Sequence, residues 1–260
     1  MTKSRLVTPA VFALLIAVPV MASPPLETET ARLLPGGSWR VENVFEAQTS
    51  SEGKELAVPL GLTVGLGDRL ELIVEPVPYT SIRPKDGRRA SGLGDLEVTV
   101  NWLARPETSR LPAFALAGEV KLPTAENALI GTDKPDYTGY LIASRRLGNF
   151  DVHANAGYTL IGRPAGVQTS NVFVYAAAVE YHVRPRVDIV SEIVGNTAAS
   201  PEAEQTIDRT PVWGEITGAE LVGLVGIRYY VKRDLALSVG VTYDNNGAWL
   251  VRPGLTFRFH

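Results

Sequence analysis

The chain contains no cysteine, which excludes disulfides and thiolate metal sites. Histidine is almost as scarce. His153, His182 and His260 are the only three, with no H-E-x-x-H and no other dense ligand cluster, so neither a metal nor a cofactor is expected. Beyond the N-terminus no apolar stretch approaches the roughly 20 residues that a membrane-spanning helix requires. Helical periodicity is hard to find anywhere after residue 37. The 25 Lys plus Arg face 28 Asp plus Glu, an imbalance too small to point to nucleic acid or any other charged partner. With 260 residues the chain is ample for one large domain or two small ones. If it enters a membrane, it must do so as a closed barrel.

The N-terminus resembles an export signal. "MTKSRL" supplies Lys3 and Arg5, and the apolar "VTPAVFALLIAVPVMAS" ends on small residues, with Val20 and Ala22 suited to the −3 and −1 positions of a cleavage site. Residues 1–22 are therefore read as a signal peptide and 23–36 as a periplasmic N-terminal segment. The rest, 37–260, is read as the folded body. Cleavage would leave 23 bases against 28 acids.

What the body has in abundance is alternation. "FDVHANAGYTLIG" places Phe150, Val152, Ala154, Ala156, Tyr158 and Leu160 on one face and Asp151, His153, Asn155, Gly157 and Thr159 on the other. "GDLEVTVNWLA" and "RDLALSVGVTYDN" behave alike. In this way twelve strands are predicted, near 38–48, 55–66, 69–79, 93–104, 111–122, 137–147, 149–161, 171–183, 186–195, 218–231, 234–244 and 248–259. "YTGYLIASRRL" in the sixth shows no clean alternation, and some faces that should be polar carry Ile73, Val77, Val190 and Val194.

Connections alternate too. "GLGDR", "LGN", "RPR" and "KRD", after even-numbered strands, are short, with "RPETSR" after the fourth as the exception. "SIRPKDGRRASG", "PTAENALIGTDKPD", "GRPAGVQTS" and "NTAASPEAEQTIDRTPVWGEIT" are long. Tight turns on one side and long loops on the other are the habit of outer-membrane barrels, and an even strand count returns both termini to the periplasm. A soluble β-sandwich also alternates, but three features favour the barrel. Many strands reach the roughly 9–11 residues needed to cross a bilayer at a tilt. Aromatics form two belts, with Trp39, Trp102, Phe150, Tyr229, Phe257 and Phe259 at the periplasmic level and Tyr158, Tyr243 and Trp249 at the outer level. One face of most strands is free of charge, as hydrocarbon demands. The predicted fold is an all-β, transmembrane, antiparallel up-and-down β-barrel of about 12 strands, in a bacterial outer membrane.

Charges on the opposite face then point into the lumen. Candidate lumen-lining residues are Arg40, Glu42 and Glu46 on the first strand, Glu71 and Glu75 on the third, Glu97 on the fourth, Glu119, Arg228, and Arg252 with Arg258 on the last. Asp95, Lys121, Asp188 and Glu192 join them. Closure brings Arg252 toward Glu46 and Arg258 toward Arg40, so an acidic arc would face basic residues across a pore. The plainer reading is that these charges pair with one another and fill the interior.

Other motifs carry little chemistry. The two "GLGD" tetrads at 65–68 and 92–95 precede no helical pattern and read as turns. The histidines fall toward the periplasmic end, away from the outer leaflet where a lipid-modifying barrel would need one, and are read as hydrogen-bonded lumen residues. No catalytic residue is assigned and the chain is not expected to be an enzyme. Glu202, Glu204, Asp208 and Glu215, with Arg209, make the connection near 196–217 a solvated acidic loop.

"LPGGSWRVENVFEAQ", "VPLGLTVGLGDRLELIVEPVPYT" and "SGLGDLEVTVNWLARPE" leading into "PAFALAGEVKLPTAE" resemble the outer-membrane proteins grouped under the name MetA-pathway of phenol degradation. The resemblance implies an outer-membrane barrel that passes small, aromatic or hydrophobic compounds, and it carries no catalytic motif. The penultimate Phe259 resembles the terminal aromatic signal read by the barrel assembly machinery, with His260 beyond it as a departure. The reading that results is a passive channel for a small-molecule solute, in contact with outer-membrane lipid and lipopolysaccharide. The alternatives are a non-conducting structural or lipid-contacting barrel and a lipid-modifying barrel enzyme.

Overall fold

The computed structural model describes residues 23–163, 170–199 and 219–260. The expected signal peptide and most of the acidic connection near 196–217 lie outside them. Among the described residues every regular element is a strand. In chain order they are β1 (Trp39–Val44), β2 (Glu46–Thr49), β3 (Gly53–Ala57), β4 (Leu60–Gly65), β5 (Leu70–Glu75), β6 (Thr80–Pro84), β7 (Ala90–Gly92) and β8 (Leu96–Arg105). The remainder are β9 (Ala113–Leu122), β10 (Asp136–Leu147), β11 (Phe150–Leu160), β12 (Val172–Arg184), β13 (Val187–Asn196), β14 (Glu220–Lys232), β15 (Leu235–Asp244) and β16 (Trp249–Phe259).

Twelve of these close a barrel in the order β1-β4-β5-β8-β9-β10-β11-β12-β13-β14-β15-β16, and β16 returns to β1. The closing register sets Trp39 opposite Phe259 and Arg40 opposite Arg258, antiparallel like every other pair. The last stretch of sequence is thus the seam, with Phe257 and Phe259 stacked outside. Closure leaves no strand edge of this ring exposed to hydrocarbon, where an unpaired N–H or C=O costs several kcal/mol.

The other four segments extend the first four walls outward, in the order β16-β2-β3-β6-β7. Two of the predicted strands, 38–48 and 55–66, are therefore each broken in two, while β6 and β7 continue the third and fourth across a break, as a hairpin largely within the predicted loop "SIRPKDGRRASG". Proline explains two of the breaks. Pro59 stands between β3 and β4, and Pro76 and Pro78 between β5 and β6, where neither residue type can donate to a ladder. Hydrogen bonds still cross the breaks, from Val58 N to Tyr79 O at 2.9 Å and from Gly94 N to Val77 O at 2.8 Å. The sixth predicted strand forms as β10, with Asp136, Thr138, Tyr140, Ile142 and Ser144 inside. Its alternation was obscured because Tyr140 and Ile142 face inward.

Short turns join the strands at the periplasmic end. Gly148 takes a positive φ of 64° in the β10–β11 turn, where a Cβ would be strained. The outer surface is continuous grease. Val100, Trp102, Leu116, Leu141, Ile193, Val225 and Val241 are all exposed on it. A patch of this extent on a water-soluble monomer would drive association; in lipid it is the required exterior. Aromatics bracket it, with Phe150 stacked on Tyr181 at 4.7 Å at one level and Tyr243 against Trp249 at 4.7 Å at the other.

Val225, 65% exposed in the middle of β14, supplies a test of that exterior. Val225→Arg should destabilise the barrel by about 2–4 kcal/mol in urea titrations from lipid vesicles, whereas Val225→Leu should leave the midpoint unchanged.

Candidate functional site

The barrel register arranges the inner face into transverse rows. One row runs through Glu42, paired with Gly61, and through Glu75, Glu97, Lys121 and Asp136, each opposite the next. The row beneath holds Arg40, Thr63, Ile73, Thr99, Glu119 and Thr138. Acids thus gather on β5, β8 and β9, while Arg40, Arg228, Arg252 and Arg258 lie on β1, β14 and β16. All ten lumen candidates have their side chains on the inner face. Arg40, Glu42, Glu46, Glu75, Glu97, Glu119 and Arg252 line a cavity of about 400 Å³. Glu71, Arg228 and Arg258 lie outside it. Arg252 reaches Glu46 at 2.8 Å across the β16–β2 seam.

The floor of this cavity was not foreseen. Residues 23–35, assigned from sequence to the periplasm, run inside the barrel and cross it from β5 to β14–β16. Leu34 N donates to Glu71 at 2.7 Å. Arg32 pairs with Asp151 and, at 2.8 Å, with Glu107. Ala31 N donates to Ser144 Oγ at 2.8 Å, and Glu29 exchanges two hydrogen bonds with Asn155, at 2.8 and 3.0 Å. Glu192 accepts from the backbone N–H of Glu27 and from both the N–H and hydroxyl of Thr28. Arg252 pairs with Glu27 and donates to the Pro25 carbonyl at 3.2 Å. Arg228, fully buried, donates to the carbonyls of Ser23 and Pro24 and pairs with Glu180. Most of these are charge-assisted or buried contacts, and breaking one of those strands its partner in a low-dielectric interior.

The wall is shaped to receive this segment. Gly226 and Gly240 are cross-strand partners, and Gly254 lies one strand on. A Cβ on Gly226 would come within 2.5 Å of Pro25, on Gly240 within 2.6 Å of Pro25, and on Gly254 within 3.2 Å of Pro24. The three form a saddle that admits the two prolines. Leu26 fills an apolar spot made by Ala178, Val190 and Leu224, and Ala31 packs on Ala113, Ala115, Ala117 and Ile142. The inward Val190 that looked out of place in a polar lumen is a socket for Leu26. Small residues on alternate, inward positions of β9 and glycines at matching register on β14–β16 were the available signals. They could have been found by asking why an inner face should be bare.

The histidines are hydrogen-bonded within the wall. His182 links Asp151 and Asp188, both at 2.8 Å, and His260 Nδ1 lies 2.9 Å from Ser38 Oγ. His153 stands between Ser144 Oγ, 2.8 Å from Nδ1, and Glu180 Oε1, 3.3 Å from Nε2. That is the residue set of a hydrolytic triad, but Ser144 is 1% exposed beneath Ala31, so no scissile carbonyl can reach its oxygen. Among the described residues no group of three or more His, Asp or Glu is arranged to hold a metal ion.

A family model described as "Putative MetA-pathway of phenol degradation" matches residues 27–259, from within the lumen segment to the closing strand. The chain belongs to this family. Among solved structures it is similar to an outer membrane channel from Pseudomonas putida F1, at a TM-score of 0.68 and 14% identity, covering 88% of this chain and 98% of that one. It is also similar to the KdgM porin in complex with disordered oligogalacturonate, at 0.56 and 11%, covering 85% and 99%. No curated protein matches the chain. At these identities the likeness establishes the fold, that of an outer-membrane β-barrel.

In this family member the seated segment carries its own pH sensitivity. Burial, then the carboxylates of Glu75 and Glu71, push Glu29 from 4.5 up to about 8. A carboxyl so raised favours the seated state when protonated. Seating is therefore strongest below about pH 4.5 and weakens as pH climbs toward about 8. A water-soluble maleimide should label a cysteine placed at Thr30 faster at about pH 9 than at about pH 5, and Glu29→Gln should flatten that dependence. Gly240→Val, which drives a side chain into Pro25, should raise the labelling at both pH values.

Proposed function

We propose that the chain is a passive outer-membrane channel for small molecules, narrowed at its periplasmic end by its own N-terminal segment. The observation that carries this reading is the cavity itself. It rises from Glu27 and Glu29 on the segment to Asp136, Asn196 and Glu220 at the outer ends of β10, β13 and β14. Its volume of about 400 Å³ falls in the range of small-molecule sites. Twelve strands lie between the eight that side chains fill and the sixteen that leave a wide channel, so occupancy of the lumen decides conduction. Here the occupant is a tether of thirteen residues or so, not a domain. Ionised groups converge on the cavity, while Ile73, Val77, Ile130, Tyr140 and Val174 give it apolar faces. That mixture suits small solutes with a hydrophobic or aromatic part.

No hydrolytic role is assigned, because the Ser144–His153–Glu180 set is sealed. Residues 1–22 are read as the export signal. Lipopolysaccharide at the outer belt and the barrel assembly machinery, acting on the aromatic last strand, are the proposed partners. Conduction needs no cofactor, only a gradient and a path.

Purified protein in planar bilayers should show small channels, and deletion of residues 23–35 should enlarge the unit conductance severalfold. Arg252→Ala should shift the ion selectivity toward cations by removing a positive group from the cavity wall. A bilayer that stays silent with both the intact and the shortened protein would favour the non-conducting structural barrel instead.

A further inference from the structure

The inner row that contains Glu42, Gly61, Glu75, Glu97, Lys121 and Asp136 sets four carboxylates against one lysine. Glu75 and Glu97 lie directly opposite each other on β5 and β8. Like charges in that position repel, yet neither carboxylate has a hydrogen bond or salt bridge to another side chain among the described residues. The nearby cations, Lys121 opposite Glu97 and Arg40 on β1, make ion pairs with other carboxylates. Lys121 pairs with Asp136 at 2.7 Å and Asp95 at 3.7 Å, and Arg40 with Glu42 at 3.2 Å.

Two buried polar atoms on the same cavity wall have no partner of their own. Glu42, 9% exposed, leaves Oε1 without a hydrogen bond while Oε2 faces Arg40. Thr80, fully buried beyond Glu75, leaves Oγ1 without one. Both residues line the cavity. Between Glu42 and Glu75 the wall is bare, because Gly61 lies there. A Cβ on it would stand 3.5 Å from Glu42 Oε2 and 3.8 Å from Glu75 Oε1. Two carboxylates therefore close over an open strip of backbone, with a third opposite one of them.

We propose that this strip is a binding site for a small organic cation, an ammonium carrying a compact apolar group, whose N–H donors bridge Glu75 and Glu97. The proposal deepens the channel reading and names the solute class. Adjacent strands are about 4.8 Å apart, so the two opposed carboxylates suit an ammonium with hydrogen bonds of about 2.8 Å on each side. A small metal ion requires three or more ligands converging at about 2.0–2.6 Å, and no such group occurs among the described residues. Tyr140, Ile73 and Val77 on the same cavity supply contact for the apolar part. The glycine makes room for the chain carbon next to nitrogen.

The test is calorimetric titration of the purified barrel in detergent with phenethylammonium, alongside phenethyl alcohol as its uncharged match, and the same amine applied to single channels. The wild type should bind the amine at least about tenfold more tightly than the alcohol. Glu75→Gln with Glu97→Gln should lose that margin, as truncating a buried charge contact does. Gly61→Leu keeps every carboxylate and should also lose it by filling the strip, so the result does not hang on one variant. Heat-modifiable migration of each variant reports an intact barrel. Equal affinity for amine and alcohol in the wild type, or an amine affinity unchanged in both variants, overturns the site. A silent bilayer with amine binding intact overturns the channel and leaves the site standing. Conduction without amine binding does the reverse.

Discussion

Hydrocarbon on the outside is the constraint from which the rest follows. A bilayer offers no hydrogen bonds, so every backbone amide must be paired laterally, and twelve strands achieve this by closing β16 onto β1. The same solvent drives ionised side chains at membrane depth to the inner face. A lumen of this width then concentrates acids and bases where water is scarce and where an unpaired charge is costly. The interior must therefore be solved as a charge problem before it can serve as a passage.

The chain solves half of it with its own N-terminal segment. Arg228 and Arg252 take the carbonyls of Ser23, Pro24 and Pro25, and Glu192 takes the amides of Glu27 and Thr28. The segment is thus held at both polarities of its backbone, and the glycine saddle and the Leu26 socket fix its height in the barrel. The acidic half, on β5, β8 and β9, is left facing the cavity. Asymmetry of this kind gives a lumen one wall that is satisfied internally and another that is open to solute.

Much of the barrel could be read from sequence because bilayer physics imposes strict alternation. Asp151, His153 and Thr159 against Phe150, Val152 and Tyr158 admit only one placement on either side of a membrane wall. Alternation set the strand count, and the short and long connections agreed with it apart from "RPETSR". The breaks at Pro59 and Pro76 were missed because proline was weighed inside a strand pattern and not as a divider of it. The ten lumen candidates could be named from alternation alone, but their partners could not. The segment 23–36 has no periodicity, and its contacts with the wall are with residues distant in sequence, 37 positions away for Leu34 with Glu71 and 164 for Thr28 with Glu192. Its imprint was on the wall, in Ala113, Ala115, Ala117, Gly226 and Gly240, where smallness looks like an ordinary strand choice until something is known to lie against it.

The central claim is that this barrel is built around its own N-terminal segment. With no native cysteine, a chain carrying Leu26→Cys and Val190→Cys presents only the two thiols of that socket. Treated with a short thiol cross-linker in outer membranes, it should form an intramolecular bridge in high yield. Contradiction would be the absence of that bridge, with both thiols reacting freely with a membrane-impermeant reagent from the periplasmic side.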